Sequence, residues 1–112
     1  MSTVQINGAA YRYIFGMGAM MIYETLTGES MTGRSIAELS VTQTNVLHYA
    51  CLRNGSNEYG FSFAEYMQQL NDRAVATALA TALAAELLRW NTDNSVPAEE
   101  EEEGDTQKSK KK

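Results

Sequence analysis

The feature that most constrains this chain is a change of period near its start. From Val4 to Phe15 the residues alternate around Asn7-Gly8, and a two-residue Asn-Gly is the strongest short-range signal for a type I′ hairpin turn. If Ile6 pairs with Ala9, Val4 pairs with Tyr11, and Val4, Ile6, Tyr11, Tyr13 and Phe15 share one face of the ribbon. After Gly16 the pattern becomes helical. Ala19, Ile22, Tyr23 and Leu26 fall at i, i+3, i+4 and i+7, an apolar stripe of the kind a helix lays on a core, and Gly28 supplies the stop. A two-stranded ribbon is marginal alone, so its aromatic face is expected to lie on the helices that follow.

Helix signals recur down the chain. Ser35 to Glu38 has the S-x-x-E form of a capping box before a short turn, and Ser40 to Gln43 repeats the signal. From there to Arg53 a helix places Val46, Leu47, Ala50 and Cys51 on one side, and Gly55 to Gly60 reads as a polar loop. Ser62 to Glu65 is a third capping box, with Phe61 and Tyr66 placed as its hydrophobic staple. Asp72 caps a last helix whose inner face is Val75, Leu79, Ala82, Leu83, Leu87 and Trp90. The predicted fold class is α+β, mainly α: a hairpin over residues 3–15 on a small bundle of about four helices, 17–27, 41–53, 62–71 and 73–91.

Residues 1–92 are read as one domain and 93–112 as a disordered tail, because five consecutive glutamates followed by Gln107-Lys108-Ser109 and three lysines cannot bury a core. The net charge of −5 divides unevenly. Seven acids and five arginines lie in residues 1–92, and all four lysines fall in the tail. The domain so defined has no basic field to draw nucleic acid and no Lys/Arg-rich face for anionic lipid. The most apolar run, Ala74 to Leu88, is shorter than the ~20 residues of a membrane span and carries Glu86. One cysteine forms no internal disulfide, and no basic segment precedes an apolar leader, so a reducing cytoplasm is expected.

Catalytic constellations are poorly supplied. His48 and Cys51 stand three apart on one helix, yet a zinc site needs three or four ligands and the chain has no other His or Cys. The expectation is a buried thiol beside a surface imidazole. Gly16-Met17-Gly18 follows a strand and opens a helix, as half a dinucleotide fingerprint does, but Met21 occupies the third glycine position. No catalytic, cofactor or metal residue is therefore assigned, and no enzyme activity is expected.

Two apolar surfaces remain. Met17, Met20 and Met21, with Glu24 among them, form a second face on the first helix, and flexible, polarisable methionines suit an adaptable partner surface. Ala78, Thr81, Ala85 and Leu88 give the last helix a face of mostly small residues that permits close approach of another helix, an oligomer contact or simply the helix propensity of alanine.

Taken together, Val4-x-Ile6-Asn7-Gly8, Tyr11-x-Tyr13-x-Phe15-Gly16 and the run Ala19-Met20 to Tyr23-Glu24-x-Leu26-Thr27-Gly28 resemble the beginning of the tail assembly chaperones of long-tailed bacteriophages. The Leu47-His48-Tyr49-Ala50 stretch and the helix start from Phe61 to Tyr66 are similar in layout, so the resemblance spans about residues 3–92. It implies a protein of the infected bacterial cytoplasm, absent from the mature virion. Its partner would be the hydrophobic tape measure protein, kept soluble until tail tube subunits polymerise. It further implies homo-oligomers, contact with the tail tube protein, and a frameshifted long form sharing the N-terminal domain, for which the codons of Lys110 to Lys112 are a candidate slippery site. A small helical adaptor or regulator of a phage or mobile element is the alternative, and gene position between tail tube and tape measure genes separates the two.

Overall fold

The structure is a computed structural model that describes residues 2–31 and 33–94, with side chains through Thr92. The charged tail and the lysine run lie outside the described residues. Strand β1 (Ser2–Ile6) and strand β2 (Ala9–Tyr13) form an antiparallel hairpin, followed by α1 (Met17–Thr27), a 3-10 turn (Ile36–Glu38), α2 (Val41–Gly55), α3 (Phe63–Gln69) and α4 (Arg73–Asn94). An N-terminal hairpin packed on four helices is the architecture expected.

The hairpin register is the one its turn dictates. Asn7 and Gly8 both have positive φ, 53° and 84°, as a type I′ turn requires. Ile6 faces Ala9 and Val4 faces Tyr11, and Val4, Ile6, Tyr13 and Phe15 are buried with Tyr11 packed at the margin. Further along, Gly28 closes α1 in the left-handed conformation (φ 73°), its N–H donating to the Glu24 carbonyl.

Capping follows the sequence at three helices and fails at the fourth signal. Ser40 with Gln43 and Ser62 with Glu65 both complete reciprocal capping boxes, and Asp72 Oδ1 accepts from the Ala74 N–H at 2.9 Å. The Ser35 box does not form; the segment is a single 3-10 turn without a side-chain cap. Three residues fix too few orphan N–H groups for a reciprocal cap to matter.

Three expectations about burial need correction. Leu26, assigned to the core stripe of α1, is 49% exposed, and the inner line of that helix is Ala19 and Tyr23 with Met20 and Ile22 half-buried. His48 is buried inside α2. The loop between Gly55 and Gly60 is not wholly polar, since Tyr59 is fully buried. Glu86, whose charge argues against a membrane span, is 1% exposed in the middle of α4.

Two glycines are dictated by close approach. A Cβ on Gly55 would collide with the backbone carbonyl of Arg12, where the end of α2 meets β2. A Cβ on Gly18 would collide with the Asn54 side chain, whose Nδ2 donates to the Ile14 carbonyl at 3.0 Å. These contacts seat the hairpin and α1 against the C-terminal turn of α2, which positions the outer faces described next.

Candidate functional site

Helix α1 packs chiefly on α2, and its methionines border two recesses. Met17 and Met20 line a broad groove of about 760 Å³ together with Phe15, Met31, Leu87 and Trp90, closed on one side by residues 33–37. Met21, one helical turn on from Met17 and equally exposed, lines a smaller recess of about 370 Å³ with Ile22, Thr25, Leu26, Tyr49 and Arg53. The three methionines thus border two recesses on one helix.

Exposure separates their roles. Met17 and Met21 are each 64% exposed, while Met20 packs partly on the core. Glu24 is occupied by the fold: its Oε2 accepts from the Ser30 hydroxyl and the Met31 N–H, each at 3.3 Å, and so fixes the turn that delivers Met31 to the groove floor. Arg34 at the rim is paired with Glu29 at 3.5 Å. The groove is mainly apolar, with Arg34, Ser35 and Asn91 as its polar lining, and within it Phe15 meets Trp90 edge-to-face at 5.6 Å between centroids.

Behind the groove a polar clamp holds the strand-to-helix junction. Glu86 Oε1 accepts from the Phe15 N–H at 3.0 Å, and Arg89 donates both to the Phe15 carbonyl and to Glu86, each at 3.0 Å. Burial alone would raise the Glu86 carboxyl, but the hydrogen bonds from Arg89 and Phe15 and the arginine charge hold it below the usual carboxylate range. The pair substitutes for a neighbouring strand at a residue beyond the end of β2. It lay hidden in the sequence because its backbone partner is 71 residues away, although the Glu-x-x-Arg spacing on one helix was a visible signal.

The His48 and Cys51 pair lies inside the core, beside Tyr13. The Tyr13 hydroxyl is 2.7 Å from His48 Nδ1. Burial pushes His48 down to about 4, so the ring is neutral at pH 7. Burial also raises Tyr13 far above its ordinary value, so the hydroxyl keeps its proton and is hydrogen-bonded to Nδ1. Cys51 is pushed up to about 12, chiefly by burial, with a hydrogen bond to Tyr13 opposing in part, which leaves a protonated thiol. The expected core thiol is found; the expected surface imidazole is instead a buried hydrogen-bond partner of Tyr13.

On α4, Ala78, Thr81 and Ala85 border a shallow depression with Ser2, Thr3 and Ala82, of about 390 Å³. Leu88 is 70% exposed and does not line it. Among the described residues no group of three or more His, Cys, Asp or Glu could hold a metal, and no helix is long and apolar enough to cross a membrane. Comparison with protein-family models, with curated proteins and with solved structures gave no match, so what the chain does is argued from the groove itself.

Proposed function

We propose that this protein is a tail assembly chaperone of the long-tailed phage type, which binds apolar helical segments of the tape measure protein and keeps them soluble until the tail tube polymerises around it. The observation that carries the reading is the methionine-bordered groove. An amphipathic helix presents anchors at i, i+3, i+4 and i+7 and docks in an apolar trough. The wall built by Met17, Met20 and Met31 opposite Leu87 and Trp90 offers such a trough, and unbranched thioethers adapt to many sequences rather than one. A client with many unlike apolar helices requires that tolerance. The second recess beside Met21 and Leu26 extends the apolar surface along the same helix.

Co-expression with a tape measure fragment tests this. The wild-type protein is expected to raise the soluble fraction of the fragment severalfold, and a Met17→Ser/Met20→Ser/Met21→Ser variant to lose most of that effect while melting within a few degrees of the wild type. Equal solubility of the fragment with the wild type, the variant and no chaperone at all would exclude the function. Full protection by the variant would exclude the surface.

A further inference from the structure

The two long edges of the hairpin are finished differently. On β2 the outward Arg12 N–H donates to Ser56 Oγ at 2.6 Å, and just beyond the strand the Ile14 N–H donates to the Cys51 carbonyl at 3.1 Å. Residues facing each other across an antiparallel pair send their backbone groups the same way, inward or outward. Thr3 faces Arg12 and Gln5 faces Ala10, so Thr3 and Gln5 turn their N–H and C=O groups away from β2. Among the described residues these groups have no hydrogen-bond partner.

An open strand edge is ordinarily guarded by charge, proline or a bulge. Here Ser2-Thr3-Val4-Gln5-Ile6 carries no charge and no proline, and its register runs without interruption. α4 packs on β1, and beside the edge a depression is bordered by Ser2, Thr3 and the small residues Ala78, Thr81, Ala82 and Ala85 of α4. Residues 74–85 of α4 are also uncharged. Two copies meeting along β1 and this stretch of α4 therefore set no like charges together.

We propose that β1 pairs antiparallel with β1 of a second copy about a two-fold axis at Val4, joining two hairpins into one four-stranded sheet. Thr3 of each copy then faces Gln5 of the other, and the outward N–H and C=O groups of both residues are satisfied in four backbone hydrogen bonds. The edge is its own complement, as an isologous interface must be. The pairing is independent of any client bound in the methionine groove, which lies along α1 and the end of α4.

Light scattering on the full chain over a wide concentration range reads the result. The wild type is expected to move from the 12.4 kDa formula mass towards twice that value as concentration rises. Gln5→Pro removes one outward N–H without touching the rungs to β2, and is expected to shift the midpoint at least tenfold upward. Two further variants keep every backbone group: Thr3→Lys/Gln5→Lys sets lysine against lysine across the axis and should stay monomeric, while Thr3→Lys/Gln5→Glu sets opposite charges together and should dimerise. Circular dichroism confirms that each variant is folded. A wild type that stays monomeric throughout, or dimers indifferent to Gln5→Pro and equal in the two charge variants, would overturn the proposal.

Discussion

The hairpin has a closed flank and an open one, and they are built from different side chains. On the closed flank, β2 lies against α2 in a cluster of tyrosines with polar ends accounted for: Tyr49 donates to the Phe61 carbonyl, Tyr59 to Gln69 and Tyr66 to Asn45. Rings of Tyr11, Tyr49, Tyr59 and Phe61 meet edge-to-face with centroids 5.1 to 6.5 Å apart. On the open flank the groove is walled by methionines and the β1 edge by alanine, threonine and serine. Large rigid rings with satisfied hydroxyls specify one packing; flexible or small side chains leave room for something else. One flank of the hairpin is thus filled by large rings and the other is bordered by small side chains, while an apolar recess at Met21 reaches Tyr49.

The largest test of that division is truncation on the closed flank. Tyr13→Ala removes a fully buried ring and the partner of His48, and is expected to cost about 4 kcal/mol, a large part of what a domain of this size has. Urea unfolding measures it. A loss comparable to that of an exposed residue would deny the closed flank its role.

Acid should attack the same flank next. His48 has a folded value of about 4, below its unfolded value of about 6.5. The unfolded chain therefore binds a proton that the folded one refuses, so stability is flat above about pH 6.5, falls as pH drops towards 4, and flattens below it. The full span is at most about 3 kcal/mol. Glu86, whose carboxyl is depressed, adds a loss at still lower pH, as protonation releases the Arg89 and Phe15 bonds. Thermal melts from pH 7 to pH 4 should show the slope, and His48→Gln should remove it in that window.

A smaller effect is expected where the flanks meet. Glu86→Ala strands the buried Phe15 N–H and should cost about 2 kcal/mol by calorimetry. Replacing the exposed Met17 or Met21 with serine should change stability by no more than about 0.5 kcal/mol. That near-silence, set beside a loss of client solubility, is what separates a binding surface from a core.

The closed flank was partly legible in the sequence and the junction was not. Asn7-Gly8 determined turn, register and inner face, because a type I′ turn allows one alternation only, and two serine capping boxes located the starts of α2 and α3. Those signals are local. The role of Glu86 was not legible because its partner is a backbone amide brought near only by the tertiary fold, and His48 was placed at the surface because its partner Tyr13 lies 35 residues earlier. Tyr59 was lost in a loop of polar neighbours, although an aromatic between two glycines hinted at an inward anchor. The methionines were found as a group, but the two recesses they border were not, since helical phase alone does not tell which neighbours flank α1.

Native-state hydrogen exchange bears most directly on the unequal flanks, since one data set compares amides of facing residues. The Arg12 and Ile14 amides, bonded to Ser56 and Cys51, are predicted to exchange only through openings close to global unfolding. The Thr3 and Gln5 amides, facing outward from the same ribbon, are predicted to exchange orders of magnitude faster in dilute protein and to slow as concentration rises. Equal protection of the two edges at every concentration would contradict the account.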